Sequence, residues 1–214
     1  MTDAMGSDSQ PADHVGIFWL LKLGDVDEVS SAGAFSLTPG IAVTFQRVGP
    51  ETMHLLAQAM GPAEHTQILQ RFERGKWCYA GLLKGEIVTY GWVTFDEEHI
   101  GELGLTIRLR KGEAYIWDCA TLPAYRGQRL YPALLAHMLR AMAAQGVHHV
   151  WLGTDADNIP SQKGVALVGF RPVVDAGLVE APPDHGPKSL WIRQRPGVSE
   201  QDAMDAHRVL LGHL

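Results

Sequence analysis

The sequence predicts an α+β fold built on a mixed, mainly antiparallel sheet. Three observations carry this expectation. Short strand-like runs come early and follow one another as a meander; one long amphipathic helix follows; strands and helices then interleave to the C-terminus. At 214 residues the chain suits one domain. A chain of this size buries roughly 70% of its unfolded surface, so it needs no disulfide or metal staple.

Residues 17–23 form the first apolar run and read as a strand. Residues 30–40 are rich in Ser, Ala, Gly and Pro and read as a loop. A strand is expected over 41–48, closed by Gly49-Pro50. Met53, Leu56, Ala57 and Met60 recur at helical spacing over 51–60, and Gly61-Pro62 breaks that helix. A second helix is expected over 66–74, with Ile68, Leu69 and Phe72 on one side. Residues 77–83 and 87–95 read as a hairpin turned by Lys84-Gly85-Glu86. Asp96-Glu97-Glu98 reads as a solvated acidic connector, or else as a rim that attracts an amine. Strands are expected over 103–109 and 114–122.

The strongest helix is expected over 130–145, where Leu134, Leu135, Met138, Leu139 and Met142 make an apolar stripe. Pro132 fits only its first turn, and Gly146 stops it. A strand over 149–154, a short helix over 161–168 and strands over 170–174 and 190–193 follow. A Pro-rich loop with Pro182, Pro183 and Pro187 separates the last two. Ser199 caps a final helix over 201–211, free to dock on this chain or on a partner. The expected organisation is a loose tail over 1–14, one domain over 15–198 and a C-terminal helix over 199–214.

Lys and Arg number 18 against 24 Asp and Glu, a net charge of −6. Such a chain is a poor match to a polyanion, so no nucleic-acid partner is expected, although a local basic pocket for a small anion stays open. Its apolar runs fall short of the ~20 residues a membrane span requires, and its N-terminus lacks the pattern of a signal peptide. The two cysteines, Cys78 and Cys119, have neither zinc nor disulfide spacing. No metal is expected, and a reducing cytoplasm fits best.

Chemistry concentrates between Tyr115 and Phe170. A strand ends at Thr121-Leu122-Pro123, and Arg126-Gly127-Gln128-Arg129-Leu130-Tyr131 opens the long helix. Bare amides at a helix N-terminus, with two arginines beside them, suit a phosphate or pyrophosphate. Farther on stand Asn158-Ile159-Pro160-Ser161 and then Gly169-Phe170.

This segment resembles the general N-acetyltransferase (GNAT) superfamily, whose cofactor motif is Gln/Arg-x-x-Gly-x-Gly/Ala between a strand and a long helix. The family follows it with Asn-x-x-Ala/Ser and a Gly-Phe pair. The element order from Ile41 to Arg193 fits as well. The resemblance implies a GNAT-like sheet of about seven strands flanked by helices on both faces. Two central parallel strands would splay apart around acetyl-CoA. It implies that backbone groups of Cys119, Ala120, Thr121 and Leu122 pair with the pantetheine arm. Amides of Arg126, Gly127, Gln128, Arg129, Leu130 and Tyr131 would hold the pyrophosphate, and Asn158 and Ser161 would contact the arm. The acyl group would pass directly to an amine without an acyl-enzyme, leaving Cys119 as a groove wall.

The chain departs from the family at several positions. Arg129 and Tyr131 occupy the motif's two small-residue positions. Val165 stands where relatives carry an acidic Tyr; Tyr115, Trp117 and Gly153 stand where they carry a base. The catalytic candidates are therefore Asp118, Glu113, Glu102 and Asp155, with Tyr115 and Tyr131 as possible acids and a water relay as another base. Strand alternation sets Glu113, Tyr115, Trp117 and Cys119 on one face and Asp118 on the other, unless a bulge reverses it.

The leading expectation is an N-acetyltransferase taking acetyl from acetyl-CoA to a small-molecule or peptide amine. The alternatives are a non-catalytic module that binds CoA or another small molecule, and an architectural subunit that binds none. The last strands and the C-terminal helix offer an edge for a homodimer.

Overall fold

Alternation along the first strand sets the layers of the molecule. In β1 (His14–Lys22), Ile17, Trp19 and Leu21 face one side, while Phe18 and Leu20 face the other, and all five are buried. A strand that is apolar on both faces belongs at the centre of a sheet covered twice. The computed structural model, which describes residues 14–24, 37–180 and 188–212, shows this arrangement.

The other strands are β2 (Thr44–Val48), β3 (Trp77–Leu83), β4 (Glu86–Thr94), β5 (Glu97–Ile100), β6 (Leu105–Arg108), β7 (Glu113–Thr121), β8 (His149–Asp155), β9 (Arg171–Glu180) and β10 (Lys188–Gln194). Eight form one sheet in the order β10-β9-β1-β8-β7-β4-β3-β2, and β5 and β6 pair apart from it. Only β7 and β8 run parallel in the large sheet; the other neighbours are antiparallel.

The helices are α1 (Met53–Met60), α2 (His65–Glu73), α3 (Leu130–Ala143), α4 (Ile159–Leu167) and α5 (Glu200–Leu210). On one face α3 buries Leu134, Leu135, Met138, Leu139 and Met142 completely against the sheet. Each such side chain contributes about 1.5–3 kcal/mol before the entropy of ordering it. The opposite face carries α1 and α2 over β3 and β4, and α5 over β1 and β9.

The large sheet has eight strands among the described residues, close to the expected number of about seven. Other expectations need correction. Asp96-Glu97-Glu98 is not a connector throughout, because Glu97 and Glu98 start β5, which pairs with β6. The strand expected over 170–174 continues to Glu180, held by β1 and β10 on its two sides. The C-terminal helix docks on its own sheet through Ala206, Val209 and Leu210. The tail over 1–14 (apart from the start of β1), most of the loop over 30–40, and the Pro182–Pro187 loop lie outside the described residues. No described helix is long and apolar enough to cross a membrane.

Candidate active site

The parallel pair at the centre of the sheet is short. β7 and β8 pair from Glu113↔His149 to Ile116↔Leu152 and then part, although β7 runs on to Thr121 and β8 to Asp155. The parting coincides with a bulge. On β4, Tyr90 opposes Ala120 and Trp92 opposes Trp117, so Gly91 alone faces both Asp118 and Cys119. Asp118 takes the left-handed conformation, with φ 43°. A bulge of this kind bends its strand. Gly91 permits it, since a Cβ there would stand 2.6 Å from Cys119 Sγ.

The bulge also resolves the question of faces. Trp117 and Asp118 both lie toward α2: the Arg71 guanidinium is 4.5 Å from the Trp117 ring, and Arg71 Nη1 donates to Asp118 Oδ2 at 2.5 Å. Cys119 packs instead with the α3 layer. Simple alternation, which put Trp117 with Cys119 and apart from Asp118, fails here.

The gap opens into a cavity of about 880 Å³. Its walls are Tyr115 to Cys119 of β7 and Leu152 to Asp155 of β8, with Tyr131, Asn158 and Ser161 on the α3–α4 side. On the α2 side stand Arg71 and residues 98–103, which run from β5 into its turn. Beyond Ile116 the edge of β7 that faces the gap has no partner strand among the described residues. Its other edge is occupied, with Leu122 N–H donating to Val88 O. A free strand edge can take an extended ligand arm as an added strand.

After β7, a single turn over Pro123–Tyr125 leads to the start of α3. Gly127 (φ 76°) and Arg129 (φ 57°) are both left-handed, so Arg129 adopts the backbone that the motif's glycine would supply. Among the described residues, the amides of Gly127, Gln128, Arg129, Leu130 and Tyr131 make no backbone hydrogen bond, and no side chain caps the helix. These donors and the helix dipole form an anion-binding end. Arg126 and Arg129 are exposed beside it, and Arg126 Nε donates to Thr121 O at 3.2 Å.

Asn158 caps α4, its Oδ1 accepting from Ser161 N–H at 3.1 Å. Ser161 Oγ donates to Tyr131 Oη at 3.4 Å, joining α4 to the first turn of α3.

The titratable groups differ in their surroundings. Tyr115 is 6% exposed and lines the gap; a Cβ on Gly153, across the gap on β8, would fall 3.1 Å from its hydroxyl. Burial pushes its pKa up, with Glu102 and Glu98 adding to the shift, so the hydroxyl keeps its proton. Burial likewise raises the Cys119 thiol, with help from Asp118, which removes the thiolate a nucleophile requires. Burial raises the Glu98 carboxyl, against opposing pulls from Lys76 and Arg71.

The cleft therefore brings together Asp118, Glu102, Tyr115, Cys119, Tyr131, Asn158, Ser161 and Asp155. It does not include Glu113. That side chain is buried at the opposite end of the β7–β8 pairing, where Arg208 of α5 donates to Oε1 and Arg110 N–H donates to Oε2. Sequence reasoning gave no role to Arg71, and read Glu98 as a connector or rim. Gly91, within a strand otherwise rich in β-branched and aromatic residues, was the available sign of the bulge; nothing local to Arg71 marks it.

The acetyltransferase (GNAT) family model matches residues 50–170, more than half of the chain, and the chain belongs to this family. No curated protein sequence matches it. Among solved structures, a GNAT-family acetyltransferase from Colwellia psychrerythraea is 15% identical, with a TM-score of 0.54 over 87% of this chain and 58% of that one. A tandem GNAT protein from the clavulanic acid biosynthesis pathway is 18% identical, with a TM-score of 0.50 over 74% of this chain and 50% of that one. The aminoglycoside acetyltransferase AAC(6')-Iy, bound to a bisubstrate analogue joining CoA to an acetylneamine, is 13% identical, with a TM-score of 0.49 over 61% of this chain and 92% of that one. The chain thus spans about three fifths of the length of the first of these structures.

Proposed function

We propose that the protein transfers an acyl group, most simply acetyl from acetyl-CoA, to an amine of a small molecule or peptide, directly and without an acyl-enzyme. The observation that carries this reading is the gap between β7 and β8: a free strand edge leads from the cavity to a ring of unbonded amides. The β7 backbone over Cys119, Ala120, Thr121 and Leu122 takes the pantetheine arm. Asn158 and Ser161 border it on the other side. The amides from Gly127 to Tyr131, with Arg126, hold the pyrophosphate.

In the transfer step the amine nitrogen attacks the thioester carbonyl, the C–N bond forms and the C–S bond breaks. The departing sulfur takes a proton from the Tyr115 hydroxyl, which recovers one from the new amide nitrogen. Asp118, already bonded to Arg71, contributes to acceptor binding rather than to proton transfer. Cys119 is a wall of the groove.

Thermal unfolding with millimolar acetyl-CoA, with NADH and ATP as controls, tests the donor site. A ligand at about 100 times its Kd stabilises by roughly 2.7 kcal/mol, enough to move the midpoint by several degrees. A shift with acetyl-CoA alone is expected, followed by amine-dependent release of free thiol. No shift would overturn the donor site, and a shift without thiol release from any amine would leave only CoA binding.

A further inference from the structure

Three carboxylates, Glu98, Glu102 and Asp118, surround the α2 end of the cavity against a single arginine, Arg71. They are not equivalent. Asp118 is paired with Arg71. Glu102 is exposed in the turn after β5. Glu98 projects from β5 into a partly dry setting: its Oε2 is buried and accepts no hydrogen bond among the described residues. The nearest cation, Lys76 Nζ, stands 3.6 Å away and already donates to Thr94, Asp96 and Glu97 O. A second observation points to a ligand at this end. The Tyr115 hydroxyl, on a side chain 6% exposed, makes no hydrogen bond among the described residues and lines the same cavity.

We propose that the α2 end of the cavity receives an aliphatic amine that arrives as an ammonium ion, and that Glu98 takes the proton which frees the attacking lone pair. This rests on the acetyltransferase reading and adds to it a substrate class and a base. An aliphatic ammonium has a pKa near 10, so at neutral pH almost none of it is nucleophilic. Glu98 removes one N–H proton and passes it to solvent. The neutral amine then attacks, and the second N–H proton follows the Tyr115 route to sulfur, giving an amide, free CoA and one released proton. The charged and titratable groups facing Glu98 are Lys76, Arg71 of α2, Tyr115 and Asp118 of β7, and Glu102 and His99 beside it. Raising of the carboxyl by burial makes Glu98 a stronger base toward the ammonium.

The test is Glu98→Gln, assayed by thiol release from acetyl-CoA with tyramine and spermidine, and with 4-aminophenol, an arylamine already neutral at pH 7. Loss of at least about 100-fold in kcat with the aliphatic amines is expected. The loss should shrink as pH is raised from about 7 to about 9.5, where the free amine becomes abundant. The acetyl-CoA thermal shift should stay unchanged. Glu98→Gln is not expected to lower the melting temperature. The fold binds this proton more tightly than the unfolded chain does, so the group stabilises below the ordinary Glu pKa and loses that contribution as pH rises through the raised one. Wild-type rates of the variant with the aliphatic amines, a loss that does not change with pH, or a wild-type enzyme that accepts 4-aminophenol but neither aliphatic amine would overturn the proposal. So would acetyl-CoA binding with none of the three amines accepted. Absence of any acetyl-CoA binding would overturn the acetyltransferase reading itself.

Discussion

Asp118 holds a left-handed backbone, φ 43°, that costs an ordinary residue about 1–3 kcal/mol unless its surroundings enforce it. Here the enforcing contacts are Gly91 on one side and Arg71 on the other, the latter also lying 5.0 Å from the Trp92 ring. The bulge turns the Asp118 carboxylate toward Arg71 at the α2 end of the cavity, the end proposed to take the acceptor. Asp118→Asn should therefore leave the donor site alone and disturb the acceptor. The expected result is a fall in turnover of about tenfold with acetyl-CoA affinity within about twofold, read by steady-state kinetics and calorimetry. Wild-type turnover would clear Asp118 of any part in the reaction. Arg126 belongs to the other end, beside the free amides of the α3 turn. Arg126→Glu places a negative charge beside the turn proposed to hold the pyrophosphate. It should weaken CoA binding at least about tenfold, or about 1.4 kcal/mol, by calorimetry.

Among the elements, the packing of α4 on α3 shapes the cavity wall made by Tyr131, Asn158 and Ser161. A Cβ on Gly164 of α4 would fall 2.8 Å from Cδ1 of Tyr131, and the ring cannot slide freely because its hydroxyl meets Ser161. Gly164→Ala should then push Tyr131, and with it the first turn of α3. Overpacking of this kind costs about 1–3 kcal/mol, or roughly 3–10 °C in melting temperature, and should weaken acetyl-CoA binding together with stability. A variant as stable as wild type would show that the ring moves aside without cost. Most strands and helices were legible because each carries its own signal: a continuous apolar run for β1 and β3, a period near 3.6 for α3. β5 was not. Its residues alternate between exposed and half-buried, with no fully apolar face, and among the described residues its only strand partner is β6, so no local pattern marks it. The environment of Glu98 is built by Lys76 and by Arg71, both more than a dozen residues earlier in the chain, and a linear reading does not bring them together. The turn that opens α3 was legible as a candidate anion site because its donors are consecutive backbone amides. The α2 end of the cavity was not, because it is assembled from α2, β5 and a bulge.

At the largest scale the main sheet is divided by the cavity between β7 and β8. Four residue pairs between β7 and β8 join the half made of β10, β9, β1 and β8 to the half made of β7, β4, β3 and β2. Below the splay, α3 bridges the two halves on one face. On the other face α5 packs on β9 of one half and on β6 of the separate two-stranded sheet, and reaches β7 of the other half through a side chain. Arg208 fastens this strap, reaching Glu113 at the base of β7, where the carboxylate is 4% exposed and the guanidinium 11%. Arg208→Met would leave Glu113 charged and buried, with Arg110 N–H as its remaining partner. Breaking one side of a buried pair costs about 3–5 kcal/mol, whereas replacing both sides is often close to neutral. Arg208→Met should thus lower the melting temperature by roughly 6–20 °C, and adding Glu113→Gln should restore more than half of the loss. Since Glu113 lies outside the cavity, the double variant should bind acetyl-CoA as the wild type does. If the single variant is as stable as wild type, the strap is not held by this pair. If the double variant recovers stability but loses acetyl-CoA binding, the strap sets the width of the gap, and the two halves are coupled through α5 rather than through the four pairs at the base.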